Sequence, residues 1–234
     1  PALMQGFRRK ARELGAAYIS DEATELAPHA VTLRSGRRIK AGTVVLAAGP
    51  WSGQLAARAE IALPVEPRRR SVFVLDVRPS QGRGPPGLTP LTIDPSGVWF
   101  RPEGRFYLAG TTPAAGNDPP EPPLEVQHAE WDDMVWPALA ARVPAFEAAK
   151  VVNSWAGYYE YNTFDQNGIV GRHPERENLI FATGFSGHGI QQSPAVGRAV
   201  AELIVHGGYR TLDLSPFGYD RISAGRPIRE LNVV

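Results

Sequence analysis

Along residues 2–14, Leu3, Met4, Phe7, Ala11 and Leu14 recur at helical spacing with Arg and Lys between them. That pattern predicts an amphipathic helix, stopped by Gly15. Residues 17–19 begin a short strand. From 30 to 49 the alternation predicts two strands around Ser35 and Gly36, then a uniformly apolar strand over 44–48. A run with no polar alternation is expected to be covered on both faces. Gly49 and Pro50 break it, and 51–59 reads as helix with Ser52 as N-cap.

The middle has a different texture. Residues 63–77 read as one long strand, with Val72, Val74 and Asp76 alternating against Phe73, Leu75 and Val77. Residues 81–90 form a turn-rich loop, and 91–112 short antiparallel strands joined at 95–97 and 103–104. A Pro-rich loop at 117–124 leads into a helix near 123–142 carrying Val126, Trp131, Met134, Val135 and Leu139. Residues 150–161 predict another strand. A β–loop–α unit over 168–205 and a polar, irregular tail from Gly207 complete the chain. The order is α/β, then antiparallel β with one helix, then β–loop–α. It predicts a lobe inserted into a split α/β domain, with boundaries at 1–60, 61–155 and 156–234.

Two stretches stand out chemically. In "VVLAAGPWS" (44–52) small residues end a buried strand, so a flat ligand could lie close to the backbone; an ordinary strand–turn–helix reads the same way. In "TGFSGHGIQQSP" (183–194), Gly184, Gly187 and Gly189 permit positive φ and close approach. Successive N–H groups at a helix start would make an electropositive nest, and Pro194 suits a first helical turn. The alternative is a glycine-rich connection without a ligand. The stretch is neither a Walker A loop nor GxGxxG.

Composition narrows the field. The 234 residues, 43% hydrophobic, suffice for one sizeable core or two small lobes. A net charge of +1 gives no reason to expect nucleic acid or a membrane surface. There is no cysteine, hence no disulfide, thiolate site or cysteine-linked cofactor. No apolar run approaches the roughly 18 residues of a membrane span. His29, His128, His173 and His206 lack metal-ligand spacing, and neither a Ser-His-Asp set nor paired carboxylates point to a hydrolase. An Ala-, Arg- and Pro-rich chain suggests a GC-rich bacterial source and a cytoplasmic protein; a eukaryotic one would be mitochondrial.

The motifs, in their order, resemble the D-amino-acid oxidase-like FAD-dependent oxidoreductases, which include sarcosine and dimethylglycine dehydrogenases. "VVLAAGPWS" looks like the strand and turn beside FAD, "WAGYYEYNTFDQNGIVG" (155–171) like the strand near the flavin ring, and "ATGFSGHGIQQSPAVGRAVAELI" (182–204) like the flavin loop and helix. "LPVEPRRRSVFV", "VWPALAARVPAFE" and "LDLSPF" bring it nearest the FAD-dependent oxidoreductase domain-containing subgroup, whose mitochondrial member assists assembly of a respiratory complex. The resemblance implies an α/β FAD-binding domain with an inserted α+β substrate lobe built on an antiparallel sheet. It further implies that the FAD-binding domain is incomplete here, because the family's N-terminal βαβ unit with GxGxxG is not in the sequence. The chain is then expected to be a C-terminal portion that holds little FAD alone and exposes a sheet edge favouring self-association.

By the same resemblance, FAD would be held non-covalently by Ala48, Gly49, Trp51, Gly184, Phe185, Ser186, Gly187, His188, Gly189, Ile190 and Gln191. The expected reaction is oxidation of a C–N bond of an amine or N-methylated amino acid, hydride passing to the flavin. Where sarcosine-oxidising relatives carry a lysine, this chain has Gln191, and "RFYLAG" (105–110) lacks the oxygen-activating lysine. These departures imply a dehydrogenase with an unidentified electron acceptor and count against a sarcosine-like substrate. The alternative is a flavin-fold assembly protein whose catalysis is dispensable. His188, Tyr159 and Tyr161 are the catalytic candidates. His188 either reaches the ring or makes a structural hydrogen bond. Tyr158, Tyr159 and Tyr161 either line an amine cage or pack in the core. Arg68, Arg69 and Arg70 read as solvated on alternate faces, or as one partner for a substrate carboxylate. Trp51 packs near the cofactor or in the core.

Overall fold

The computed structural model describes residues 2–77 and 89–231. Three sheets organise it: a meander of β1 (Ala23–Ala27), β2 (Ala30–Leu33) and β3 (Arg38–Lys40); a mixed sheet in the order β10-β11-β4; and a five-stranded antiparallel sheet in the order β6-β7-β8-β5-β9.

The mixed sheet comprises β4 (Val44–Leu46), β10 (Ile169–His173) and β11 (Arg176–Thr183). β10 and β11 form a hairpin, whereas β4 runs parallel to β11 with Leu46 opposite Phe181. Its two faces bury different partners, as alternation along β11 dictates. Leu179 and Phe181 pack with Leu55, Ile61 and Val65, while Ile180 packs with Phe185, Val200 and Leu203. Helix α2 (Ser52–Ala57) sits so close to β5 (Val65–Asp76) that a Cβ on Gly53 would overlap the Val65 carbonyl oxygen. β4 lies at the end of its sheet and Val45 is exposed, so the apolar run expected to be covered on both faces is covered on one.

The larger sheet consists of β5, β6 (Thr92–Ile93), β7 (Trp99–Glu103), β8 (Phe106–Gly110) and β9 (Lys150–Asn162). Odd-numbered β5 residues Phe73 and Leu75 face a core with Phe100, Val135, Leu139 and Phe146. A helical segment carries Val135 and Leu139: α3 (His128–Glu130), a π turn (Trp131–Val135) and α4 (Trp136–Arg142). Pro137 explains the π turn. It has no N–H for the Asp133 carbonyl and its ring crowds that turn, so the Trp136 N–H reaches back to the Trp131 carbonyl instead.

Several expectations need correction. Residues 17–19 are not a strand; Tyr18 is exposed beneath the Arg8 guanidinium, 3.7 Å from its centroid. β1 was not expected, and the strand expected over 44–48 ends at Leu46. The middle helix starts at His128, not near 123. Helix α1 (Ala2–Glu13) forms as read, but none of its residues is buried. Ser52 is inside α2, not its N-cap. Pro194 lies inside α5 (Gly189–His206), beyond its first turn. Its ring nitrogen cannot serve the Ile190 carbonyl, and the Ser193 hydroxyl does so at 2.9 Å. The tail is not irregular throughout: α6 (Asp220–Ser223) buries Arg221. The loop expected at 81–90 lies, up to residue 88, outside the described residues.

Candidate functional site

Parallel pairing makes β4 and β11 leave their sheet at the same edge, and this brings the two chemically suggestive stretches together. Thr183 Oγ1 lies 2.7 Å from Ser52 Oγ, donates to Glu160 Oε2 at 3.0 Å and sits 3.5 Å from the Gly49 carbonyl. Ser52 and Thr183 are both fully buried. Beyond them the chain turns through left-handed residues on both sides: Gly49 at φ 56°, and Gly184, Ser186 and Gly187 at 75°, 45° and 93°.

The loop faces two ways. The Phe185 ring is buried with Val170, Ile180 and Val200, and Ser186 Oγ accepts the Asn162 N–H at 3.0 Å. Gly187, Ile190 and Gln191 are exposed, and His188 and Gly189 half-buried. His188 is the N-cap of α5, yet no side chain caps that helix. The positive end of an 18-residue helix therefore opens at the loop. Ala48 and Trp51 line one cavity, of about 510 Å³, whereas Gln191 lines another, of about 310 Å³, with Phe185 and Phe217.

The long strand β9 supplies the other wall. Its register with β5 places Tyr159 opposite Arg68 and Tyr161 opposite Glu66, on the face away from the Phe73 core. Tyr159 stands against the loop so closely that a Cβ on Gly187 would lie 2.8 Å from its ring. The Arg70 guanidinium sits 4.7 Å from the Tyr159 centroid, and Arg68 5.4 Å from that of Tyr161. Neither arginine is solvated as the sequence suggested. Arg70 forks onto Asp118 at 2.9 and 3.1 Å, and Arg68 reaches Glu66 at 2.6 Å. Arg69 turns to the opposite face and donates to the Pro123 carbonyl at 2.8 Å. Tyr158 also turns away: its hydroxyl donates to the Pro122 carbonyl at 2.8 Å and its ring meets Trp51 edge-on at 6.0 Å. Of the three tyrosines, Tyr159 and Tyr161 share the loop side.

Tyr159 Oη is buried and has no hydrogen-bond partner among the described residues. Burial pushes the phenol up from its ordinary range, against the opposing pull of Arg70, so at neutral pH it is a protonated donor. Glu160, of opposite parity, points beneath the loop, where Oε2 accepts the Gly184 N–H at 2.9 Å. Its carboxyl is also pushed up by burial, opposed by the hydrogen bonds from Gly184, Thr183 and Phe185. Glu160 was missed in the sequence; a single acid inside the aromatic run YYEY was its signal. Among the described residues no acidic or histidine cluster could hold a metal, and no helix is long and apolar enough to cross a membrane.

The family described as "DAO: FAD dependent oxidoreductase" matches residues 1–203. The chain belongs to this family. Within the DAO family, FAD-dependent oxidoreductase domain-containing protein 1 of Xenopus laevis is 43% identical over 99% of this chain and 53% of its own length. Glycine oxidase of Geobacillus kaustophilus is 31% identical over 80% of this chain and 46% of its own length. Among solved structures, L-proline dehydrogenase from P. horikoshii superposes with a TM-score of 0.81 and 27% identity, over 95% of this chain and 59% of that one. The chain spans about half the length of the relatives it matches.

Proposed function

We propose that this chain forms the flavin- and substrate-facing wall of an FAD-dependent oxidoreductase that oxidises the C–N bond of an amine or N-methylated amino acid. The observation that carries the reading is the meeting of Gly49 and Gly184 at one sheet edge, with the unpaired Tyr159 hydroxyl beside the loop that follows. The residues fit a flat, hydrogen-bonding cofactor. A Cβ on Gly49 would meet nothing within 4 Å, so backbone is open to close approach there, and the α5 N-terminus offers uncapped N–H groups to a ring carbonyl. Ala48, Gly49 and the backbone of 184–190 would hold the flavin, and Trp51 would flank it. When bound, FAD supplies the two-electron acceptor.

The chain's own groups orient the substrate. Tyr159 donates a hydrogen bond from the β9 wall, and the Tyr161 ring offers a face to an amine. His188, half-buried at the start of α5, is the further candidate beside the loop. Arg68 and Arg70 are already matched by Glu66 and Asp118, so this wall carries no excess positive charge to draw an anion. A lobe division near residues 60 and 155 is part of the same reading; Ile61, Leu63 and Val65 still pack with Leu55 and Phe181, and β9 runs unbroken through 155. The departures at Gln191 and in 105–110 support a dehydrogenase. A panel of secondary and N-methylated amines and amino acids, added anaerobically to the full-length protein, tests the reading. Bleaching of the visible flavin band by one of them is expected. Failure of every candidate, with FAD bound, would count against catalysis and for the assembly role.

A further inference from the structure

Arg221 lies far from the glycine loop in sequence, yet its side chain is 5% exposed and that of its partner Asp165 0%. The guanidinium forks onto both carboxylate oxygens, Nε to Oδ2 at 2.7 Å and a terminal nitrogen to Oδ1 at 3.0 Å. Its other donors reach the carbonyls of Phe217, Gly218, Asn167 and Gly168. The Asp165 carboxylate is filled from further directions. Oδ1 accepts Asn162 Nδ2 at 2.9 Å, and Oδ2 accepts the Ile228 N–H at 3.0 Å. The Glu230 N–H donates to the Asp165 carbonyl at 3.0 Å. Residues 217–230 are thereby strapped onto the turn at 162–168.

That turn bears on the loop at two points. The Asn162 N–H donates to Ser186 Oγ, and Ser186 is a fully buried non-glycine residue held in the left-handed region. Such a backbone persists only where its surroundings over-determine it. Gly168 passes so near the Phe185 ring that a Cβ there would stand 2.7 Å away. Every donor and acceptor named in this network is matched, the condition under which a buried ion pair fixes geometry.

We infer that Arg221 is a positioning residue for the glycine loop: through Asp165 and Asn162 it holds Ser186, and so sets where Gly187 and His188 stand. Its consequence for cofactor binding rests on the function proposed above; the positioning of the loop does not. Hydrogen–deuterium exchange on the full-length protein tests it, with Arg221→Lys, Ser186→Ala, their double mutant and Thr211→Ala compared. Thr211, in the same tail but anchored to Glu202 near the far end of α5, serves as the control. Arg221→Lys keeps the charge but loses the fork. It is expected to speed exchange of amides in 183–190 by about tenfold, the scale of one lost hydrogen bond, with Thr211→Ala leaving them unchanged. The double mutant is expected to add little to the larger single effect, because both act on one path. Unchanged loop exchange in Arg221→Lys, with faster exchange at Ile228 and Glu230, would overturn the inference and leave the ion pair a tether for the tail. Should Arg221→Lys not fold, Ser186→Ala decides from the other end. Coupling is reciprocal, so Ile228 and Glu230 must exchange faster in it, and unchanged rates there overturn the inference. FAD affinity is measured separately. A wild-type protein that binds no FAD while its loop responds to Arg221→Lys would defeat the flavin reading and uphold the positioning.

Discussion

Glu160 Oε2 accepts the backbone N–H of Gly184 at 2.9 Å, so the long strand of one sheet holds the first residue of the loop that leaves the other. Replacing Glu160 by Ala strands that N–H, while the Thr183 hydroxyl keeps Ser52 Oγ at 2.7 Å. A loss of about 1–3 kcal/mol in unfolding free energy is expected. Glu160→Gln retains an acceptor and is expected to cost less. Denaturant titration of the three proteins gives the order, and an Ala variant as stable as wild type would refute it.

The pH dependence of the same residue has a definite sign. Burial holds its carboxyl above the ordinary value, so between that value and the raised one the folded state keeps a proton that the unfolded state has lost. Stability from this group is therefore present at low pH and declines as pH rises from about 4.3 upward. Glu160→Gln cannot titrate. The stability of wild type relative to Glu160→Gln is expected to fall with rising pH and then level off. A difference that rises across that window would mean the hydrogen bonds to the carboxylate outweigh its burial.

Tyr159→Phe removes a buried hydroxyl that has no hydrogen-bond partner among the described residues. Without ligand, the variant is expected to be as stable as wild type or more stable by up to about 1 kcal/mol. With substrate, loss of the donor is expected to raise KM by about tenfold. Stability and function then move in opposite directions. A marked loss of stability with unchanged KM would make Tyr159 a packing residue.

Two closely packed glycines differ in what they meet, backbone at Gly53 and a side chain at Gly187. Gly53→Ala drives a methyl into the Val65 carbonyl oxygen, and neither backbone can yield without moving α2 off β5. Gly187→Ala meets the Tyr159 ring and a φ of 93°. Gly53→Ala is expected to abolish folding or cost more than about 3 kcal/mol. Gly187→Ala is expected to fold with Tyr159 displaced, seen as changed tyrosine fluorescence or near-UV dichroism. Equal, small effects on stability and spectra at the two sites would contradict the described packing.

What could be read from the chain was local. The 2.0 and 3.6 periods located β5, β9, β11 and α5, and the glycine spacing marked the loop before α5. Failures came where a long-range partner decides the outcome. Residues 17–19 have strand-like side chains but no strand beside them. The stretch ATELA carries an acid and two alanines, yet pairs with β2. The parity of β9 was visible, but not that β5 would lie against it in a register placing Arg68 opposite Tyr159 and leaving Asp118 to neutralise Arg70. Asp165 and Arg221 are 56 residues apart, and no spacing within either segment announces the other.

The central claim is that the turn after β4 and the glycine loop after β11 form one flavin-facing wall, and a matched pair of glycines tests it most directly. Gly49 and Gly36 both have positive φ, 56° and 84°, and a Cβ on either would meet nothing within 4 Å. Alanine at each should cost about 1–2 kcal/mol of backbone strain and little else. FAD titration of the full-length wild type, Gly49→Ala and Gly36→Ala is expected to show Gly36→Ala binding as wild type does and Gly49→Ala at least about tenfold more weakly, the equivalent of 1.4 kcal/mol. Gly49→Ala binding FAD as tightly as Gly36→Ala would contradict the placement of the flavin at this edge.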